Sequence, residues 1–116
     1  MFGANSTCLC SELVRLTYQD NLGKTHETTG NLEEISKDQA TLLFDGFTQR
    51  GRRVWFVAQG HTLSGVVDSC SWEPLLGCFA TVRLDESCRW SQAQFQPEHL
   101  LCLPQPRHRP TRATAA

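Results

Sequence analysis

Short segments rich in β-branched and aromatic residues recur along the chain, and turn signals separate them. The segments stand at residues 13–19, 25–35, 40–44, 53–57, 62–70 and 77–84. Turn-forming residues follow the first and the fourth, as in Asp20-Asn21-Leu22-Gly23 and Gln59-Gly60-His61. No long helical periodicity intervenes, which argues against strand–helix–strand units. The pattern predicts an all-β class, with six strands in an antiparallel barrel or sandwich.

The composition of the segments also suggests which side chains fill such a barrel. The expected core contributors are Leu13, Leu42, Phe44, Trp55, Val57, Val66, Phe79 and Val82. If Phe79 is central, its replacement by alanine costs roughly 3–5 kcal/mol.

The length of 116 residues, 40% of them hydrophobic, fits one domain. We predict an N-terminal segment over residues 1–10, the barrel over residues 11–103 and a disordered tail rich in Pro and Arg over residues 104–116. Pro97 and the apolar residues after it predict a short C-terminal helical turn that closes one end of the barrel.

Charge and hydropathy constrain partners and location. Eight basic and twelve acidic side chains precede Pro104, a balance that disfavours binding to a nucleic acid polymer. No stretch approaches the roughly 18 consecutive apolar residues of a membrane span. The first ten residues lack the basic start and apolar run of a signal peptide. We therefore expect a cytoplasmic protein with no membrane span.

The chain contains six cysteines, for which we consider three interpretations. The cysteines are Cys8, Cys10, Cys70, Cys78, Cys88 and Cys102. In a secreted chain an even number indicates disulfides. Structural zinc takes paired Cys-x-x-Cys ligands, which this sequence lacks. We favour the third interpretation, in which the cysteines are reduced and metal-free and the last four are small apolar fillers of strands.

Catalytic motifs are missing from the sequence. It contains no Gly-x-Ser-x-Gly elbow, no Walker lysine loop and no His-Glu-x-x-His. We predict no catalytic residue and no cofactor, with an enzyme or metal protein that uses the cysteines as an alternative. The densest basic cluster of the barrel region is Arg50-Gly51-Arg52-Arg53, which either holds a phosphate or keeps a strand start soluble.

The order of these segments resembles a PilZ domain. The resemblance rests on the strand 13–18, on the segment 31–40, on Gly51 before Val54-Trp55-Phe56-Val57, and on the close at residues 95–100. It implies a six-stranded barrel in bacterial signalling that binds cyclic di-GMP. The family uses an Arg-x-x-x-Arg segment ahead of the first strand and an Asp/Asn-x-Ser-x-x-Gly segment.

This sequence departs from both motifs. It has no Arg-x-x-x-Arg, and in the second motif Glu34 replaces Asp or Asn, Ser36 matches, and Gln39 replaces Gly. The resemblance thus implies a non-enzymatic PilZ-like module that regulates or binds another protein without cyclic di-GMP. The alternative is a cyclic di-GMP sensor that uses Arg50, Arg52 and Arg53 instead. A small barrel of SH3-like type has much the same strand pattern.

Overall fold

A computed structural model describes residues 7–102, and the tail predicted over residues 104–116 lies outside them. The elements are β1 (Cys8–Gln19), β2 (Thr25–Ile35), β3 (Gln39–Phe44), β4 (Arg53–Ala58), β5 (His61–Glu73), β6 (Gly77–Leu84), a 3-10 turn (Glu86–Cys88) and β7 (Leu101–Cys102). The all-β class predicted from the sequence is confirmed. β1 begins inside the segment that we predicted to precede the barrel.

Six of the strands form a closed antiparallel barrel, as predicted. The order around the barrel is β2, β3, β6, β5, β4 and β1, and pairing between β1 and β2 closes it. β7 lies outside this ring and pairs with Cys8 and Leu9 at the start of β1. Closure satisfies backbone hydrogen bonds around most of the ring without a second sheet.

Glycines with positive φ allow two of the tight turns. Gln59 and Gly60, with φ of 52° and 80°, form the two-residue connection between β4 and β5, a geometry that matches the twist of a hairpin. Gly77 has φ of 113° where the turn after Pro74 enters β6. A side chain on Gly77 would collide with the carbonyl oxygen of Phe44, so only glycine lets β6 start there.

The barrel interior contains one face of each strand, and its side chains differ in part from the predicted core. The predictions of Leu42, Phe44 and Val82 are confirmed. The prediction was wrong for five residues on the outer face, namely Leu13, Trp55, Val57, Val66 and Phe79. Their places inside are taken by Val14, Leu16, Val54, Phe56, Leu63, Val67, Cys78 and Ala80.

The error is one of phase. Successive side chains of a strand point to opposite faces. An assignment that is wrong by one position therefore exchanges the residues of the inner face with those of the outer face. In β4 every residue from Val54 to Ala58 is apolar, and alternation of polarity therefore gives no phase there. In β6 Phe79 and Val82 are three positions apart and cannot share a face.

Residues 89–102, which we call the strap, cross the barrel end where β1 begins. Two side chains of the strap, Trp90 and Phe95, are buried against the barrel core. The carboxylate of Glu12, also buried, accepts hydrogen bonds from the Glu98 backbone N–H at 2.8 Å and from Gln59 Nε2 at 2.9 Å. The helical turn predicted after Gln96 is wrong: His99 has φ of 59°, outside the right-handed helix, and Leu101 then pairs with β1.

A disulfide joins Cys8 to Cys102 and fixes the strap to β1. The expectation that all cysteines are reduced is wrong for this pair, because β7 pairs Cys102 directly opposite Cys8. Cys78 is a buried filler as predicted, whereas Cys70 is exposed and Cys88 is half-buried.

Candidate interaction surface

The residues that stand at the PilZ-like motif positions lie together at the turn between β2 and β3. The Ser36 backbone N–H donates to the Gln39 carbonyl at 2.8 Å, and Ser36 is buried. Glu34, Ser36 and Gln39 line a depression of about 10 Å³. That volume corresponds to about one water molecule, so the depression is too small to enclose a nucleotide.

The three arginines are directed to different partners. Arg52 Nη2 donates to the Asn21 carbonyl at 2.6 Å, which ties it to the turn between β1 and β2. Arg53 makes a bidentate ion pair with Asp85, with distances of 3.1 and 2.5 Å. Arg50 is exposed in the turn before β4. None of them lines the Glu34–Ser36–Gln39 depression, so the two predicted sets do not form one site.

Arg53 belongs to a polar network on the outside of β4 and β5. Its guanidinium also lies 5.6 Å from the centre of the Trp55 ring. Asp85 accepts a further hydrogen bond from Ser64 Oγ at 2.6 Å, and the hydrogen bonds from Arg53 and Ser64 lower the pKa of Asp85. The network anchors the 3-10 turn to the barrel wall.

Cys88 extends the same network. Its Sγ lies 3.5 Å from Ser64 Oγ, and this hydrogen bond is the main reason that the pKa of Cys88 is lowered. The thiol is half-buried, and the neighbouring Asp85 charge acts in the opposite direction on its pKa. No imidazole contacts Cys88 among the side-chain hydrogen bonds of residues 7–102, so it is not part of a Cys–His pair there.

Two concave regions accompany these residues on the barrel wall. A cavity of about 300 Å³ is lined by side chains of both charge signs, including Asp38, Arg83, Glu86 and Arg89. A groove of about 620 Å³ crosses the outer faces of β1, β2 and β4, with Arg15, Glu27 and Trp55 among its lining. The mixed charges in both regions select neither a polyanion nor a polycation.

The barrel end opposite the strap carries large exposed apolar side chains. Phe47, Trp72, Leu75 and Leu76 are 54%, 50%, 97% and 60% exposed, and we call these four residues the tip surface. Phe47 and Trp72 meet edge to face with ring centres 6.5 Å apart. The two leucines lie in the turn between β5 and β6, which projects beyond the barrel. Such clustered exposure marks surfaces that contact another molecule.

Among residues 7–102, no group of three or more His, Cys, Asp or Glu side chains is placed to hold a metal ion. No helix in that part of the chain is long and apolar enough to cross a membrane.

Comparison with known proteins gives no relative: no family model, curated protein or solved structure matches the chain. The PilZ resemblance therefore stays a prediction from the sequence.

Sequence reasoning missed the tip surface because it treated residues 71–76 only as the connection between the fifth and sixth predicted strands. The signal was present in Trp72-Glu73-Pro74-Leu75-Leu76, where Trp72 precedes the turn and two leucines stand within it, at positions that ordinarily take polar residues. Phe47 had no such signal, since only the fold brings it beside Trp72.

Proposed function

We propose that this chain is a non-enzymatic protein-interaction module that binds its partner through the tip surface. The observation that carries the proposal is the clustering of four large apolar side chains, each at least half exposed, at one end of a closed barrel. Aromatic side chains are enriched in the buried core of protein–protein interfaces, and neighbouring apolar side chains add hydrophobic area to that core. Trp72 lies on the paired strand β5, and Leu75 and Leu76 lie in the short turn that follows it, which limits the entropy lost on binding.

Charges beside the tip surface indicate the chemistry of the partner. The exposed side chain of Asp45 lies two residues before Phe47, and that of Glu73 directly follows Trp72. An apolar surface bordered by Lys or Arg would complement both features. An anionic membrane is a poorer match, because basic side chains rather than carboxylates favour its surface.

The regulatory role in bacterial signalling and the cytoplasmic location belong to this proposal as expectations from the sequence. The Cys8–Cys102 bond argues against the cytoplasmic expectation and favours an oxidising compartment, where disulfides mainly persist. Cyclic di-GMP sensing is the less favoured function, because Arg52 and Arg53 are already hydrogen-bonded to other parts of the barrel.

Site-specific photocrosslinking in cells that express the chain tests the proposal. A photoreactive amino acid replaces Leu75 in one variant and Leu13, which is 72% exposed on the barrel wall, in the control. We expect discrete protein adducts from position 75 and none from position 13. Adducts at position 13 alone, or at neither position, would refute binding through the tip surface.

A further inference from the structure

The C-terminal half of β5 has a free edge beside the tip surface. β4 pairs with β5 as far as Val66, and backbone hydrogen bonds from Gly51 and to Arg52 extend this pairing to Val67. Residues 69–73 pair with β6 alone, and no backbone hydrogen bond within residues 7–102 reaches their other edge. All five of these residues are exposed. An uncovered edge offers N–H and C=O groups to another strand.

A second free edge on the barrel, in β2, lacks the large apolar side chains of the β5 edge. Residues 25–29 of β2 pair with β1 and have no partner strand on the other side in the described structure. This edge carries Thr, His and Glu, with no large apolar side chain. Polar and charged residues of this kind protect an edge from association. The edge of β5 has Trp72 within it and Leu75 and Leu76 at its end, so it is the edge suited to bind a strand.

We infer that the β5 edge pairs with the same edge of a second copy of this chain. The inference rests on the proposed function and names the partner of the same surface. The two strands run antiparallel about a two-fold axis that passes between the two Ser71 residues. A continuous sheet then extends from one barrel into the other, with the tip surfaces at the interface.

The register centred on Ser71 is chemically self-complementary. Ser71 faces Ser71 of the second copy, Cys70 faces Trp72, and Ser69 faces Glu73, so no like charges oppose each other. Pro74, which has no N–H, ends the pairing opposite Asp68.

Arg50 supplies the positive charge that the acidic rim of the tip surface requires. It precedes Gly51, whose N–H binds Val67, and so lies where the β5 edge becomes free. In the two-fold register Glu73 of the second copy reaches Ser69 at that same place. An exposed arginine and a glutamate are therefore brought together across the interface.

Engineered cysteines test this register in the full chain. Ser71→Cys and Ser69→Cys are compared in a Cys70→Ser background, which removes the exposed native thiol. In the inferred dimer the two Ser71 Cα atoms lie about 4.5–5.5 Å apart, within the range for a disulfide. The two Ser69 positions are four residues out of register, about 13 Å apart along the strand. Under mild oxidation we expect a covalent dimer from Ser71→Cys and not from Ser69→Cys.

Charge substitutions test the same arrangement without crosslinking. Ser71→Lys places two like charges at the two-fold axis, whereas Ser69→Lys places a lysine opposite Glu73. By sedimentation equilibrium we expect Ser71→Lys to raise the dimer dissociation constant about threefold or more, and Ser69→Lys to leave it equal or lower. Circular dichroism confirms that each variant is folded.

The outcomes separate this inference from the proposed function. Equal crosslinking of the two cysteine variants, or a wild-type chain that stays monomeric at about 1 mM, would overturn the second copy as partner. Adducts of Leu75 with a different protein would then still support binding through the tip surface. Adducts of Leu75 with the chain itself, together with the Ser71 crosslink, support both.

Discussion

Asp20 is the residue whose electrostatic environment is most clearly set by its neighbours. Its carboxylate contacts His26 Nε2 at 2.7 Å and accepts the N–H groups of Leu22 and Lys24 at 2.8 and 2.9 Å. The hydrogen bond with His26, followed by those to the backbone, lowers the pKa of Asp20 from 3.8 to about 2. The folded chain therefore favours the ionised carboxylate more than the unfolded chain does.

The sign of the resulting pH dependence follows directly. As pH falls below about 4, the unfolded chain binds a proton at Asp20 before the folded chain does, so stability is lost between about pH 4 and pH 2. We expect Asp20→Asn to reduce this loss, as measured by urea unfolding at pH 5 and pH 2.5. The exposed Asp45→Asn serves as a control. An equal acid loss in wild type and Asp20→Asn would contradict this role for Asp20.

Phe56 of β4 and Phe79 of β6 lie on opposite faces of the barrel wall, so their replacement should have different costs. Phe56 is 0% exposed, whereas Phe79 lies half-buried on the outer wall. Phe56→Ala should lower the free energy of unfolding by about 3–5 kcal/mol, because it leaves a cavity in a packed interior. Phe79→Ala should cost clearly less. Denaturant titration of both variants checks the order, and a larger loss for Phe79→Ala would mean that the assigned faces are reversed.

The positions of Arg50, Arg52 and Arg53 lead us to expect weak binding of cyclic di-GMP. Charge-assisted hydrogen bonds are worth about 1.5–3 kcal/mol each, so the missing arginine pair weakens binding by roughly two to four powers of ten. Since Arg52 and Arg53 bind Asn21 and Asp85, we expect that they do not replace that pair. Calorimetry should give a Kd no tighter than high micromolar. Submicromolar binding that Arg50, Arg52 and Arg53 substitutions to Ala abolish would establish the sensor instead.

Among the elements of the fold, the strap is the one that a disulfide attaches to the barrel. The disulfide closes a loop with a sequence separation of 94 residues, and cross-links over long loops stabilise mainly by restricting the unfolded chain. We expect Cys8→Ser to lower the free energy of unfolding by about 2–4 kcal/mol. Cys88→Ser, which changes a cysteine outside the disulfide, is the control. No difference between them would mean that the bond is absent in the protein as prepared.

The neighbouring Cys10 does not compete for this bond. Burial, and then the charges of Glu12, Glu33 and Glu34, raise the pKa of Cys10 to about 12. At neutral pH Cys10 is therefore almost entirely a thiol, and thiols do not attack disulfides. The strap thus keeps one covalent connection although a third sulfur lies two residues from Cys8.

The strands could be predicted from the sequence because their limits depend on local chemistry. Both β2 and β6 begin and end where the sequence analysis placed them, since turn residues bound each segment. The strap could not be predicted, because Glu12, Gln59 and Glu98 are distant in sequence and meet only after the barrel closes. The same is true of Cys8 and Cys102.

At the scale of the whole molecule, the two barrel ends differ. One end is covered by the strap, with Trp90 and Phe95 buried and a disulfide at its margin. The other end leaves Phe47, Trp72 and the β5–β6 turn exposed. This difference could not be predicted, because it depends on how far β5 and β6 extend past their neighbours. The surface that we propose for partner binding therefore lies at the barrel end away from the PilZ-like motif positions Glu34, Ser36 and Gln39.

Amide hydrogen exchange of the full chain, alone and bound to the partner identified by crosslinking, shows which residues the partner covers. If that partner is a second copy, dilute and concentrated samples are compared. We expect binding to slow exchange at residues 69–76, while the free edge at residues 25–29 exchanges as before. Slower exchange at residues 25–29, or along the groove lined by Arg15, Glu27 and Trp55, with no change at residues 69–76 would contradict binding through the tip surface.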